Sequence, residues 1–247
     1  MKIRGKLALL LNGRVGRAVA TVASGAVIGQ VITILLMPIV TRLFDPGVMG
    51  IQSIFVSVGN ALATAAALTY PLALTLPEKE TDAKYLMILS VLVALVSSIA
   101  VLGLIIVAHD YVLGIFNYKG IGGEVYLLPL YVFFSVLGVV AAQYLIREKK
   151  FKAIARTSWE LSAIVNCAKV LGGVLYPLLS TLIVVNVLSG LARFLLSIRF
   201  IISGLGKGLQ GVGFRGHLNE LALVANKYKD FPFYRAPQAL IAAGDCQ

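Results

Sequence analysis

Charged residues fall along this chain in short clusters, separated by apolar stretches too long for the strands or amphipathic helices of a soluble core. The first stretch, Ala18 to Val40, carries no charge, and a helix needs about 20 such residues to span a bilayer. Between Asp45 and Glu78 lie 32 uncharged residues, room for a long second span over about 48–76 with Pro71 bending its end. A third span is expected over about 85–108 and a fourth over about 125–146. From about 158 to 203 the apolar character is almost continuous, too long for one crossing. Tyr176-Pro-Leu-Leu-Ser-Thr181 is the natural break, because proline ends helices and serine and threonine cap new ones. The pattern therefore predicts an all-α polytopic bundle with six complete transmembrane spans.

The flanks and the first span add detail. Residues 1–17 form a basic cytoplasmic head, and residues 18–203 form the six-span lobe. Residues 204–236 form a polar linker with an amphipathic helix near 214–227. Residues 237–247 read as the truncated start of a seventh span: at 1.5 Å rise they reach roughly 16 Å, about half the hydrocarbon core. Inside the first span, Gly25 and Gly29 stand four apart, which lets a neighbouring helix approach closely. Pro38 removes a backbone hydrogen bond near its far end.

Composition fixes the class. Hydrophobic residues make up 59% of the chain and charged residues 13%, with a mean hydropathy of +0.90. A soluble domain carries about 25% charged residues. The net charge of +11 would point to nucleic acid on a soluble protein. Beside apolar spans it points instead to topology and anionic lipid, with no nucleic-acid partner. With the amino terminus inside, 18 of the 22 cations fall in inner segments, while only Arg42 and Lys119 fall in outer loops. The positive-inside rule then places the amino terminus in the cytoplasm and the protein in the cytoplasmic membrane. Cys167 and Cys246 form no CxxC or Cys/His cluster, so neither a disulfide framework nor a metal site is indicated. Gly206-Lys-Gly-Leu-Gln-Gly211 fits a dinucleotide fingerprint but follows a span and no strand. Nothing resembles a P-loop or a nucleophile elbow, and no cofactor and no enzymatic chemistry are expected.

Two cations within the spans are the sharpest features. Lys169 and Arg193 fall near the middle of spans five and six, where a cation costs about 2.5–3.5 kcal/mol on insertion scales. Trp159, Ser162, Asn166, Lys169 and Gly173 recur every three or four residues and share one face of helix five. Asn186, Ser189, Arg193 and Ser197 do the same on helix six. Two facing polar stripes of this kind describe a hydrated cavity wall that attracts an anion. The plainer alternative is a structural cation bonded to backbone carbonyls or reaching to the interface. Gln30 and Thr33 in span one, and Gln52, Asn60 and Thr64 in span two, extend the wall or simply bond between helices. Arg42 is a gate residue at the outer mouth or an interfacial anchor. No carboxylate lies within a span, Glu160 standing at the inner end of span five.

Three stretches carry a family resemblance. Ser24-Gly25 followed by Gln30, the late Pro38, and an exit through Arg42, Leu43, Phe44, Pro46 and Gly50 resemble the first helix and loop of polysaccharide flippases. These belong to the oligosaccharide-translocating branch of the MOP exporter superfamily. Leu68-Thr-Tyr-Pro-Leu-Ala-Leu-Thr-Leu-Pro77 resembles the close of that family's second helix. Tyr228-Lys-Asp-Phe-Pro-Phe-Tyr-Arg-Ala-Pro-Gln238 resembles its approach to the seventh.

The resemblance covers the first half of a typical member. It implies an N-terminal lobe whose full protein moves polyprenyl-pyrophosphate-linked oligosaccharide units across the inner membrane for O-antigen, capsule or exopolysaccharide assembly. The implied partners are the lipid-linked oligosaccharide, membrane lipids, the C-terminal lobe and other polysaccharide-assembly proteins. Lys169 and Arg193 would hold the pyrophosphate or acidic sugars, with Asn166, Asn186, Gln30, Gln52 and Arg42 around them. A cation-coupled multidrug exporter of the same superfamily, a membrane-embedded glycosyltransferase and an inactive truncated fragment remain alternatives. A lone lobe would not be expected to translocate by itself, since alternating access needs two bodies.

Overall fold

The computed structural model of the chain describes residues 14–67, 80–108 and 122–205, together with Pro71, Leu74 and Gly114. All regular structure among them is helical. The order is α1 (Arg14–Leu43), α2 (Pro46–Ala66), α3 (Glu80–Val107), a 3-10 turn (Gly123–Leu127) leading into α4 (Leu128–Arg147), α5 (Phe151–Leu175) and α6 (Leu179–Leu205). Most of the basic head, the linker helix expected near 214–227, the start of a seventh span and Cys246 lie outside the described residues.

Five stretches are long and apolar enough to cross a membrane: Gly16–Leu43, Pro46–Ala66, Tyr85–Val107, Gly123–Arg147 and Leu179–Ile201. They make the chain a multi-pass membrane protein. The expected span outside these five is the fifth, α5, which begins seven residues earlier than its apolar pattern indicated. Its 25 residues reach roughly 37 Å, enough to cross. Its composition falls short, because Lys152, Arg156, Glu160 and Lys169 all lie on it.

Local chemistry sets the helix ends. α1 runs through Pro38, and Thr41 Oγ1 donates to the Pro38 carbonyl at 3.1 Å near its close. Asp45 caps α2, its carboxylate accepting from Gly47 N at 2.7 Å, with Pro46 in the first turn where no N–H is needed. α2 stops at Ala66, ten residues short of the expected end. Pro71 has no N–H to continue the ladder and disfavours helical backbone just before it. Further on, Leu74 N donates to the Pro71 carbonyl at 3.2 Å. The break between α5 and α6 falls at Tyr176–Leu178, within the expected segment. Thr181 closes it from inside α6 by donating to the Tyr176 carbonyl at 2.7 Å.

α4 is the central helix. It packs against α2, α3, α5 and α6, and 56% of its most apolar window is buried against 11% for that of α1. One core cluster joins Phe55 of α2, Ile105 of α3, Tyr131 of α4 and Ile183 of α6. Another joins Leu74, Leu86, Tyr144, Ala153 and Ile201 nearer the opposite end. α1 packs along α5. An added Cβ at Gly25 would overlap the Ala155 backbone, and one at Gly29 would lie 2.7 Å from Ser162 Oγ. The expected close approach is therefore present, with α5 as its partner. Elsewhere α1 exposes Val27, Ile34 and Leu35. In a bilayer such faces gain little by leaving lipid, so helix contacts rest on close packing and hydrogen bonds.

Candidate functional site

The α5 stripe is built mainly against α1. Asn166 is buried, and its Nδ2 donates to Thr33 Oγ1 at 3.1 Å and to the Ser162 carbonyl at 2.8 Å. Gly173 is occupied by Phe44, since a Cβ there would lie 2.7 Å from the Phe44 ring. Lys169 is half-buried, two turns from Ser162 and so on nearly the same side of α5. It has no hydrogen-bond or ion-pair partner among the described residues. Because α5 starts at Phe151, Lys169 stands six residues before its end at Leu175. That puts it toward the Tyr176 end of the bundle.

The α6 stripe is built mainly against α4. Arg193 lies near the middle of α6. Its stem crosses Gly138, where an added Cβ would stand 3.0 Å from Arg193 Cδ. Gly190, one turn back, lets α6 approach the Phe134–Ser135 backbone. The guanidinium lies within electrostatic reach of Tyr131 on α4. Tyr131 donates to Asn60 Oδ1 of α2 at 2.9 Å, with the Ser135 side chain close to its hydroxyl. Asn60, Tyr131, Ser135 and Arg193 thus form a polar girdle across three helices. Asn186 and Ser189 bond locally, to the Leu182 carbonyl at 2.7 Å and the Asn186 carbonyl at 2.6 Å. Ser197 is buried.

Exposure shows which way Arg193 looks. Val184, Leu188 and Leu195 of α6 are exposed at 41%, 48% and 54%. Leu195 follows Arg193 by two residues, which places it on the opposite side of the helix. Arg193 is also exposed. α6 therefore has an apolar open side and, across from it, an exposed cation whose same-side neighbours Leu182 and Ser197 are buried.

The remaining expected residues are dispersed. Gln30 is exposed on α1, Gln52 half-buried on α2, and Arg42 exposed in the last turn of α1. There a cation meets the negative end of the helix dipole, which suits an anchor as well as a gate. Among the described residues, Asn166 and Thr33 are the expected pair joined side chain to side chain between helices. Glu160 lies nine residues into α5, beyond the helix end expected for it, and pairs with Arg156 at 2.7 Å and with Arg199 of α6. Tyr131 and Ser135 were not legible as site residues. They stand four apart within Leu-Tyr-Val-Phe-Phe-Ser, a run whose apolarity masks the one-turn spacing.

Chemically, the arrangement offers two cations without a carboxylate partner among the described residues, and hydroxyl and amide groups beside them. Such a surface favours an anion. No protein-family model, curated protein or solved structure matches the chain.

Proposed function

We propose that these six helices form one lobe of a flippase that moves polyprenyl-pyrophosphate-linked oligosaccharide units across the cytoplasmic membrane. The amino terminus is cytoplasmic and α5 crosses with the other five helices. On this reading α5 is carried through the bilayer by the neighbours that cover it: α1 takes Ser162 and Asn166, and α6 pairs Glu160. Polar groups at membrane depth are tolerated where protein or water meets them.

One observation carries the reading: Arg193 is open on the side of α6 opposite its apolar open face, with Lys169 unpaired on the neighbouring helix. An unpaired cation in the span marks a functional site by default, and a pyrophosphate is an anion of matching chemistry. The resembling stretches around Ser24–Gly50 and Leu68–Pro77 supply the substrate class. Translocation then proceeds by alternating access, with a second lobe closing over the polar side and no covalent step.

The test is export. Lys169→Gln and Arg193→Gln, made in the transporter with both lobes, are expected to abolish surface polysaccharide while membrane insertion and abundance persist. Undiminished polysaccharide in both single variants and the double variant would return the two cations to a structural role.

A further inference from the structure

The turn between α4 and α5 contains the one non-glycine residue with positive φ among those described, Lys149 at φ 53°. It closes α4 by a double backbone bond: Lys149 N donates to the Ile146 carbonyl and Lys150 N to the Leu145 carbonyl, each at 3.0 Å. This closure normally takes glycine, because a side chain is strained in left-handed backbone. Here the strained position carries a cation.

That cation borders a groove with two compartments. The first, of about 540 Å³, is lined by Arg17 and Thr21 of α1 and by Lys149, Lys150, Lys152 and Phe200. The second, of about 800 Å³, lies between Ala18, Val19 and Val22 of α1 and Ile146, Phe151 and Ile154 beyond it. Ala18, Lys149 and Phe151 line both compartments, so the two are continuous. Among the described residues, four cations and no carboxylate line the first compartment, and Lys149 is the only charged residue lining the second. Lys150 is committed, its Nζ donating to the Phe200 carbonyl at 2.6 Å. Arg17, Lys149 and Lys152 are exposed, without an ion-pair partner among the described residues. Arg17 begins the first span and Lys149 follows the fourth, so the groove opens at one membrane surface, the cation-rich one.

We propose that this groove binds one anionic glycerophospholipid, its phosphate among Arg17, Lys149 and Lys152 and an acyl chain along Val22, Ile146 and Ile154. Charge complementarity selects the head group. The continuous apolar compartment selects a lipid over a free phosphate, and basic pockets between helices at the cytoplasmic face suit such head groups. The site stands apart from the Lys169 and Arg193 surface and does not rest on the transport reading.

The test uses the full chain in non-ionic detergent, with lipid retention read by native mass spectrometry. Dioleoyl phosphatidylglycerol is expected to be retained in preference to dioleoyl phosphatidylcholine. Each of Arg17→Gln and Lys152→Gln should lower that preference about fivefold, as expected for one cation near an anionic head group. Lys149→Gly separates charge from folding: it relieves the strained backbone, so thermal stability should rise while the preference falls. Ala18→Trp, which fills the apolar compartment, should weaken phosphatidylglycerol binding. Three results would overturn the proposal. One is an unchanged preference in the Arg17→Gln, Lys152→Gln double variant. Another is displacement of the lipid by glycerol phosphate as effectively as by phosphatidylglycerol, which would mark a bare anion site. The third is binding that emerges only after residues 1–13 are deleted, which would make the chain's own amino terminus the occupant.

Discussion

At Gly25 a single added methyl group would collide with the backbone of Ala155, and backbone cannot swing aside as the end of a side chain can. Gly25→Ala is therefore expected to force α1 off α5, costing about 1–3 kcal/mol as overpacking does. Gly103 of α3 is the control, since nothing lies within 4 Å of its added Cβ. There alanine should be neutral or stabilise by up to about 1 kcal/mol through helix propensity. Thermal unfolding in detergent compares them, and equal shifts would show that the α1–α5 approach is not tight. The Asn166–Thr33 bond across the same interface is worth less. A double-mutant cycle to alanine should give a coupling of about 0.6 kcal/mol, typical of bonds between membrane helices.

Elements were legible to the extent that their periodicity was unbroken. The long uncharged runs announced α1, α3 and α4, and Tyr176-Pro177 marked the break that sets α6 apart from α5. Positions ruled by tertiary partners were not legible. The polar spacing from Ser162 to Gly173 correctly puts those residues on one face, but the spacing is silent about which helix they meet, and that helix is α1. The pair of Glu160 with Arg199 joins residues 39 apart, which no local pattern reveals. That ion pair supports a prediction for α5. Glu160→Gln leaves Arg156 and Arg199 without their carboxylate and should loosen the end where α5 and α6 meet. Protease cleavage between Arg147 and Arg156, measured with purified protein, is expected to speed up; an unchanged rate would show that the pair contributes nothing to holding the turn.

Among the described residues the six helices leave Arg193 exposed and Lys169 half-buried, and a second lobe is what the transport reading places over them. The chain by itself is therefore expected to leave a flippase-null strain without surface polysaccharide, whereas full restoration would remove the need for a second body. The proposed orientation rests on the distribution of cations. A cysteine placed at Lys150 should react with a cytoplasmic but not a periplasmic reagent, and one at Lys119 should do the reverse.

A lobe that takes an anion needs Arg193 to face water, or the anion that replaces it, and not lipid. Thiol accessibility tests this directly. In a background of Cys167→Ser and Cys246→Ser, Arg193→Cys and Leu195→Cys are each exposed in native membranes to a charged thiosulfonate reagent that cannot enter hydrocarbon. Rapid labelling at 193 with none at 195 is the predicted result, because the two positions lie on opposite sides of α6. Protection of both positions, or labelling at 195 alone, would contradict it and place Arg193 against lipid or buried within the bundle.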